Sequence, residues 1–445
     1  MVSSIESQER RSDVGFALSV YRALTSLARP AAGLILRHRE RRGKEDPARR
    51  GERLGEAAAV RPEGVLAWCH AASVGETNAI LPLIGALIEA RPDLRVLLTT
   101  GTVTSAQLAA GRLPPGAIHQ YVPLDAAEFV GKFLDYWRPS LAVFTEQEIW
   151  PNLLFESHAR GIPLALVNAR MSQASFERWQ RRPRLASQLF SRFDLVLAQS
   201  DVLARQFSEL GAPRALVAGN LKIDAPPPPV NDVDLKRLEA VLARRPVLVA
   251  ASTHDGEEAI IASAHRILVD ALPGFMTILA PRHPERGAVI ADMLQAQGLA
   301  VARRSLGHFP TADTQIYVAD TIGELGTLYA LAPIAFIGGS LVERGGQNPI
   351  EAIRHGAAVL TGPHWSNFAD AYGLLVERGG ACIVTSADAL AATVLALRGD
   401  PARLDAVRTR AAEALMSLSG AQQRTLDALL RLMPAGTGTG LKRAS

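Results

Sequence analysis

The sequence predicts an α/β protein of two doubly wound, Rossmann-like domains facing a central cleft, with an N-terminal amphipathic helix. Three observations lead to this fold class. The chain has 445 residues, more than one hydrophobic core usually supports. From residue 64 onward, short apolar runs alternate with helical stretches, which indicates parallel strands wrapped by helices. The alternation stops at the stiff segment APPPPV after Asp224 and then begins again, so this segment is predicted to link two domains.

The first domain is predicted over 57–224 and the second over 225–433. The predicted strands are 65–70, 96–100, 141–144, 164–167 and 195–198 in the first, and 247–251, 276–280, 315–318, 334–338 and 358–360 in the second. The region 387–432 is predicted to be helical and the tail 434–445 disordered. Ligands of such sheets bind outside the carboxyl ends of the strands. The polar segments that follow predicted strands are therefore the candidate sites.

The N-terminal segment 1–56 carries the positive excess of the chain. Residues 1–55 hold 12 Lys/Arg and 7 Asp/Glu, a net of +5, whereas the whole chain has a net charge of +4. The remainder is thus at −1, and only 5% of the residues are aromatic, which argues against a nucleic-acid groove. Between Val14 and Leu36 an apolar face and a polar stripe alternate at helical spacing, and a basic cluster follows. We expect this segment to lie on or span an anionic membrane; the alternative is a helix packed on the core.

The first candidate motif is HAASVGET, residues 70–77, directly after a predicted strand. Ser73 and Glu76 have the spacing of a helix capping box, which is a purely structural role. A carboxylate at this position is also where a general base would accept a proton from an acceptor hydroxyl. The spacing favours structure and the position favours function.

Two further motifs belong to the predicted first domain. TEQEIWPN, residues 145–152, places Glu146 and Glu148 at the end of a strand; the alternative is a helix N-terminus with acidic residues that suit its dipole. GNLKID, residues 219–224, places Lys222 just before the proline linker, where we expect it to face the cleft. The cysteines, Cys69 and Cys382, lie in apolar runs and indicate neither a disulfide framework nor a zinc site.

The predicted second domain contributes a glycine-rich stretch at 336–352, which is typical of an anion site. Its glycines allow close approach of the backbone, and Asn348 with Pro349 is a favourable start for a helix whose free N–H groups would face a phosphate. The alternative is an ordinary turn before a helix. The motif PRHPER, residues 281–286, is expected to bring Arg282, His283 and Arg286 close to this stretch.

Together with ASTHDGEE (251–258), NARMS (168–172) and GPHWSNF (362–368), these motifs resemble in order and spacing the Kdo transferases of lipopolysaccharide assembly. The resemblance spans roughly 64–375. That family transfers 3-deoxy-D-manno-octulosonic acid (Kdo) from CMP-Kdo to a lipid A precursor. It implies a GT-B fold, an anionic phospholipid surface at the cytoplasmic face of the inner membrane, and neither a cofactor nor a metal.

The resemblance also implies roles for individual residues. Glu76 corresponds to the general base, and Glu146 and Lys222 to groups that stabilise the transition state. The residues expected to bind substrate are Ser252, Thr253, Pro281, Arg282, His283, Ile322, Gly323, Glu324, Gly338, Gly339, Ser340, Gly346, Asn348, Pro349, Ile350 and Glu351. The chain departs from the family pattern at Gln347, where His is frequent, and at Gln147, where Thr is common. Both departures affect local contacts to donor or acceptor.

Two other classes of function remain open from the sequence. One is a different GT-B enzyme, such as a nucleotide-sugar epimerase or an N-acetylglucosaminyl transferase. The other is a membrane-associated protein that binds a nucleotide sugar without catalysis.

Overall fold

The computed structural model describes residues 15–242 and 245–433, which form two compact units. Unit 1 contains the chain up to Ala225 and again from Ser419, and unit 2 contains Pro226–Leu418. Each unit has a seven-stranded sheet whose strands pair in parallel. The predicted α/β, doubly wound class is confirmed.

The sheet of unit 1 has the strand order β3-β2-β1-β4-β5-β6-β7. Its strands are β1 (Val65–Ala71), β2 (Leu94–Thr100), β3 (Ala117–Tyr121), β4 (Leu141–Thr145), β5 (Leu164–Ala169), β6 (Leu195–Ala198) and β7 (Ala215–Val217). Its helices are α1 (Phe16–Leu27), α2 (Ala32–Glu40), α3 (Arg50–Arg53), α4 (Val74–Ala90), α5 (Val103–Arg112), α6 (Ala127–Trp137), α7 (Pro151–Ala159), α8 (Gln173–Gln180), α9 (Pro183–Phe190), α10 (Asp201–Glu209) and α11 (Leu221–Asp224).

The sheet of unit 2 has the order β10-β11-β9-β8-β12-β13-β14. Its strands are β8 (Val247–Thr253), β9 (Met276–Pro281), β10 (Val301–Arg303), β11 (Ile316–Val318), β12 (Ile334–Ile337), β13 (Ala358–Thr361) and β14 (Ala381–Ile383). Its helices are α12 (Asp232–Leu242), α13 (Glu257–Ala271), α14 (Gly287–Ala296), α15 (Leu325–Leu331), α16 (Ile350–Arg354), α17 (Ala369–Glu377), α18 (Ala387–Gly399) and α19 (Pro401–Ser417); α20 (Ala421–Leu432) follows in unit 1.

The apolar runs form strands because both faces of each sheet are buried. Along β1, Leu66 and Trp68 belong to one core cluster, whereas Ala67 and Cys69 belong to another. Alternate side chains thus point into different layers, as continuous apolar runs in parallel sheets require. Every predicted strand is present, and the sequence analysis missed β3, β7, β10 and β14.

The path of the chain at its C-terminus differs from the predicted domain limits. The second domain was predicted to extend to residue 433, but α20 packs in unit 1, where Leu429 is fully buried against the core. Asp224 at the end of α11 accepts hydrogen bonds from the N–H groups of Gly420 and Gln422, at 2.9 and 2.7 Å. The last helix is therefore tied to α11. The predicted disordered tail, 434–445, lies outside the described residues.

The N-terminal segment forms α1 and α2, joined by a short 3₁₀ turn at Arg29–Ala31; residues 1–14 lie outside the described part. Polar side chains of α1 contact the body of unit 1: Tyr21 donates to Asp125, and Arg22 pairs with Glu156 at 2.5 Å. No described helix has the length and apolar character needed to cross a membrane.

Candidate active site

The carboxyl ends of β1 and β4 meet at the point where the strand order of unit 1 reverses. In doubly wound sheets this switch point is where ligands bind, because the loops after the two strands diverge there. Glu76 follows β1, Glu146 follows β4, and Lys222 reaches the same place from α11. A methyl group placed on Gly75, the residue before Glu76, would lie 4.0 Å from Lys222 Nζ. The structure thus brings together the three residues predicted as catalytic.

Glu76 has the predicted capping position and a buried carboxylate. Ser73 caps α4 by accepting the N–H of Glu76 at 3.3 Å. The Glu76 carboxylate in turn accepts the Ala72 N–H on Oε2 at 3.0 Å and the Ser73 hydroxyl on Oε1 at 2.9 Å. The reciprocal bond therefore goes to Ala72 rather than to the Ser73 N–H of a standard box. Structural and chemical roles coincide in one side chain.

The surroundings of Glu76 favour its neutral form. Burial is the largest cause that raises the pKa of Glu76, and the charges of Glu146 and Glu148 raise it further. A hydrogen bond from the Thr145 hydroxyl to Oε2, at 2.6 Å, and the Ala72 N–H act in the opposite direction. The net effect is a raised pKa, which makes the ionised carboxylate a better proton acceptor than an ordinary glutamate.

Glu146 and Lys222 form a close ion pair. The distance from Lys222 Nζ to Glu146 Oε1 is 2.5 Å, and Arg170 lies 3.9 Å from the other carboxylate oxygen. Glu146 has a φ of +51°, in the left-handed region that few residues other than glycine adopt. Such strain persists only where the surroundings hold it, and it concentrates at functional sites.

The second carboxylate of the TEQEIWPN motif has different partners. Glu148 Oε2 accepts the Trp150 indole N–H at 2.5 Å and lies 3.5 Å from His70 Nε2. Burial would raise the pKa of Glu148, but the neighbouring His70 imidazole and the bond from Trp150 together lower it. An ionised Glu148 is therefore part of the environment that raises the pKa of Glu76.

In unit 2, the strand order reverses between β8 and β12, and the glycine-rich stretch follows β12. Three consecutive N–H groups of this stretch are already bound within the protein. Glu257, fully buried at the start of α13, accepts the N–H of Gly339 at 2.7 Å, of Ser340 at 3.0 Å and of Leu341 at 2.9 Å. It also accepts the His254 N–H at 2.8 Å. The anion that these N–H groups hold is a side chain of the protein itself, which differs from the predicted binding of a ligand anion by the backbone of this stretch.

The helix predicted at Asn348 begins at Ile350 and has five residues, with Pro349 as its cap. Asn348 Oδ1 accepts the Ile350 N–H at 3.0 Å, and its amide group donates to Glu351 at 3.2 Å. The side chain of Asn348 thus binds the start of the helix as predicted, but the helix itself begins one residue later than expected. One of the N–H groups expected to face a phosphate is bound by the side chain of Asn348.

A cluster of cationic and imidazole side chains lies beside the glycine-rich stretch. The rings of His254 and His283 contact edge to face, with centroids 5.7 Å apart, and His254 Nε2 lies 3.2 Å from the amide nitrogen of Gln347. Burial, followed by the charges of His283, Arg282 and Arg344, lowers the pKa of His254. At position 347 the chain departs from the family pattern and has a neutral amide beside His254. The histidine that is frequent there in the family would place a third imidazole next to His254 and His283.

The remaining predicted substrate residues lie at the carboxyl ends of β8 and β9 and in loops of unit 2. Ser252 has a φ of +57°, and its carbonyl oxygen approaches Gly338 so closely that a side chain there would collide with it at 2.5 Å. Ile322 is 73% exposed and precedes Gly323, whereas the Glu324 carboxylate is bound by Arg304 at 2.6 Å. The other residues named from the sequence here are Thr253, Pro281 and Gly346, all buried. Arg286, expected near the glycine-rich stretch, pairs with Glu258 at 2.7 Å.

Sequence reasoning missed residues that hold the catalytic candidates in place. Thr145 binds Glu76, His70 faces Glu148, and Asn168 binds Glu146 at 3.3 Å. Thr145 and His70 belong to the motifs TEQEIWPN and HAASVGET, but the sequence of a motif does not show which carboxylate its residues contact. The only available signal was their position at the ends of predicted strands.

Comparison with known proteins identifies the family. Residues 48–225 match the family model described as 3-deoxy-D-manno-octulosonic-acid transferase (kdotransferase). The chain is 36% identical over 382 residues to the 3-deoxy-D-manno-octulosonic acid transferase of Haemophilus influenzae, covering 84% of this chain and 88% of that protein. For the transferase of Bordetella pertussis, the values are 37% over 391 residues, 85% and 90%. The chain belongs to the Kdo transferase family.

The Kdo transferase family also has a plant relative. The probable mitochondrial 3-deoxy-D-manno-octulosonic acid transferase of Arabidopsis thaliana is 40% identical over 362 residues, covering 79% of this chain and 81% of that protein. Family membership makes this chain a glycosyltransferase enzyme, and it confirms the resemblance found in the motifs.

Solved structures support the GT-B fold of this Kdo transferase. UDP-GlcNAc 2-epimerase from Neisseria meningitidis matches with a TM-score of 0.57 at 14% identity, covering 83% of this chain and 100% of that one. A glycosyltransferase from Rickettsia africae matches with a TM-score of 0.56 at 11% identity, with coverages of 86% and 100%. At these identities the likeness concerns the fold alone.

Proposed function

We propose that this enzyme transfers Kdo from CMP-Kdo to a lipid A precursor of the lipid IVA type, in lipopolysaccharide biosynthesis, with Glu76 as general base. The observation that carries the proposal is the buried Glu76 carboxylate with its raised pKa, next to the ion pair of Glu146 and Lys222. A carboxylate so placed at a switch point suits proton abstraction from a sugar hydroxyl. Family membership supports the sugar that is transferred.

The reaction is a single displacement with inversion at the anomeric carbon of Kdo. Glu76 takes the proton of an acceptor hydroxyl while that oxygen forms a bond to the anomeric carbon. The bond between this carbon and the phosphate oxygen breaks, and CMP leaves with the electron pair. Lys222, held by Glu146, supplies positive charge for the Kdo carboxylate or for the developing charge on the phosphate.

The donor is assigned to unit 2 because its switch point carries the cations. Arg282 and Arg344 are exposed there, next to His254 and His283. Guanidinium groups bind phosphate and carboxylate through two parallel hydrogen bonds, and CMP-Kdo presents both anions. Among the described residues, no group of three or more His, Cys, Asp or Glu side chains is arranged to hold a metal ion. Transfer without a metal or cofactor stays a prediction.

The proposal is tested by incubating the enzyme with CMP-Kdo and a tetraacylated lipid A precursor and measuring the mass of the product by mass spectrometry. We expect addition of Kdo by the wild type and a loss of about 10²–10⁴-fold in rate for Glu76→Gln, the typical contribution of a general base. Glu63→Gln, an exposed glutamate of unit 1, is the matched control. Normal single-turnover transfer by a folded Glu76→Gln protein would refute the role of Glu76.

Two outcomes would favour the alternative functions. Stabilisation by UDP but not by CMP in thermal melts would indicate another GT-B enzyme. Binding of the nucleotide sugar without product would indicate a non-catalytic protein.

We further infer that α1 binds the surface of an anionic membrane, at the cytoplasmic face of the inner membrane where this substrate would be used. α1 buries Leu18 against unit 1 and contacts it through the polar Tyr21 and Arg22, but the other large apolar side chains of the helix are exposed, unlike those of a surface helix of a soluble protein. Phe16 is 86% exposed, Leu24 60% and Leu27 77%. The basic residues Arg37, Arg41, Arg42 and Lys44 follow in and after α2. Exposed apolar groups flanked by basic ones are typical of helices that lie in the membrane interface.

A further inference from the structure

Asn168 contacts both elements that carry the proposed charge-stabilising pair. It is the penultimate residue of β5 and only 1% of its surface is exposed. Its Nδ2 donates to Glu146 Oε1 at 3.3 Å, and its Oδ1 accepts the N–H of Leu221 at 3.0 Å. Leu221 is the first residue of α11, which carries Lys222. One amide group therefore joins the carboxylate of the pair to the helix that holds the ammonium.

The orientation of this amide follows from its partners. A backbone N–H can only donate, so the atom facing Leu221 must be the oxygen. A carboxylate can only accept, so the nitrogen faces Glu146. Lys222 Nζ binds the same Oε1 atom at 2.5 Å. The Asn168 amide and the Lys222 ammonium thus bind the same oxygen of Glu146. Because the amide group of Asn168 is planar and of fixed length, it sets the position of α11 relative to that oxygen.

The backbone at Asn168 fits the same role. Its φ is +51°, like that of Glu146, and asparagine is one of the few residues other than glycine that adopt this region readily. The Asn168 carbonyl also accepts the amide of Gln199 at 3.1 Å. Aspartate would retain the acceptor for Leu221 but would face Glu146 with a like charge. Alanine would leave the buried Leu221 N–H without its partner.

We propose that Asn168 is a positioning residue that holds Glu146 and Lys222 in the arrangement needed for transfer. The inference rests on the proposed function, because it assumes that this pair acts on the reacting groups. Asn168 itself binds only protein atoms among the described residues. Its removal should therefore lower kcat more than it changes KM, since a misplaced charge pair weakens the transition state rather than substrate binding.

The test compares Asn168→Ala and Asn168→Asp with Phe133→Leu, a core variant in α6 that touches neither Glu146 nor Lys222 and serves as the control for lost stability. In the CMP-Kdo assay we expect both Asn168 variants to lose at least tenfold in kcat with KM changed less than threefold. Phe133→Leu should keep its kcat. Retention of wild-type kcat by Asn168→Ala, or a loss no larger than that of Phe133→Leu, would overturn the proposal.

A second measurement does not depend on transfer activity. In thermal melts, the losses of melting temperature for Asn168→Ala and Glu146→Ala should not add, because each substitution removes the same hydrogen bond. We expect the double variant to lose less than the sum of the two single losses. Additive losses would show that Asn168 does not brace Glu146, even if the wild type transfers Kdo. If the two losses were not additive but the wild-type protein made no product, the result would count against the proposed function alone.

Discussion

At the level of single residues, backbone strain occurs at two positions of the proposed catalytic site, Glu146 and Asn168. Among described residues other than glycine, positive φ occurs at Arg138, Glu146, Asn168 and Ser252. The last three lie at or directly after the carboxyl ends of strands, and two of them are hydrogen-bonded to each other. The cost of such conformations, about 1–3 kcal/mol each, must be offset by the contacts that hold them. At Glu146 and Asn168, the hydrogen bond between the two side chains is one of those contacts.

The neighbours of Glu76 should move its pKa in opposite directions. Glu148→Gln removes a charge that raises this pKa, and Thr145→Val removes a hydrogen bond that lowers it. Because the base must be ionised, activity falls as the pH drops below the pKa of Glu76. The acid limb of the kcat/KM profile should therefore shift to lower pH in Glu148→Gln and to higher pH in Thr145→Val.

Two controls accompany this pH experiment. Thr145→Ser keeps the hydroxyl and should retain the wild-type profile, and Glu63→Gln removes an exposed charge elsewhere in unit 1. Shifts of both test variants in the same direction would contradict the electrostatic account of Glu76.

Glu257 should be a determinant of stability in unit 2. Glu257→Gln replaces a carboxylate that accepts four backbone N–H groups with an amide whose nitrogen must face donors. Hydrogen bonds to a charged group contribute about 1.5–3 kcal/mol, and buried groups left unsatisfied cost a similar amount. We expect a loss of about 3 kcal/mol in the free energy of unfolding, measured with urea by circular dichroism. The exposed Glu343→Gln is the control, and equal stability of the two variants would contradict this prediction.

These residues also show what the sequence could predict. Glu76 and Glu146 follow strands whose apolar runs are unmistakable, so their convergence at one sheet edge could be expected. Lys222 follows β7, which was missed, and was placed only by its position before the proline linker. Glu257 could not be anticipated as the ligand of the glycine-rich stretch, because the contact joins residues more than 80 positions apart through backbone atoms. Its spacing within ASTHDGEE indicated only a helix start.

At the scale of elements, the missed strands share a physical cause. β7, β10 and β14 have three residues each, and β3, β7, β10 and β14 lie at the edges of the two sheets. Edge strands are buried less completely than central ones; Leu216 and Val217 of β7 are more than 40% exposed. Their sequences therefore give a weaker strand signal, because β3 and β10 contain polar residues and the apolar runs of β7 and β14 are short.

Helix α20 presents a different case. Its helical period was evident, but periodicity does not reveal which sheet a helix covers. The structure places Leu429 in the core of unit 1, with Leu426 and Ala421 beside it. The contact of Asp224 with Gly420 fixes the start of the helix, and that bond joins positions 196 apart in the chain.

Leu429→Ala should therefore destabilise unit 1. Removing a fully buried leucine costs about 2–5 kcal/mol. Four of the five tryptophans, Trp68, Trp137, Trp150 and Trp179, lie in unit 1, so unfolding of this unit is followed by tryptophan fluorescence. Leu397→Ala, equally buried in α18 of unit 2, is the matched control and should leave this transition near its wild-type position. If the two variants shifted the fluorescence transition equally, α20 would not belong to the core of unit 1.

At the scale of the whole molecule, the two units repeat one architecture for different chemistry. In both sheets the order reverses beside the first strand, β1 or β8, although the orders differ at one edge, where β11 lies between β10 and β9 in unit 2. In unit 1 the switch point carries acidic side chains and a lysine, and in unit 2 it carries arginines and imidazoles. A carboxylate can abstract a proton and cations can bind an anion, so the charges suit the proposed binding of acceptor by unit 1 and of donor by unit 2.

The exposed apolar side of α1 adds a surface that neither sheet explains. Replacing Phe16, Leu24 and Leu27 together by serine removes apolar area that would be buried in lipid, at about 25 cal/mol per Å². We expect at least a tenfold loss of binding to anionic phospholipid vesicles, measured by flotation, with little change in melting temperature because these side chains are exposed. The matched control replaces Val60, Val233 and Met416 by serine; these side chains are similarly exposed but lie elsewhere, so vesicle binding should stay intact.

The wild type should bind neutral vesicles more weakly than anionic ones, since the basic residues after α1 would interact with anionic headgroups. Undiminished flotation of the α1 variant would mean that this helix does not bind the membrane, and the transferase would then have to reach its lipid acceptor through another surface.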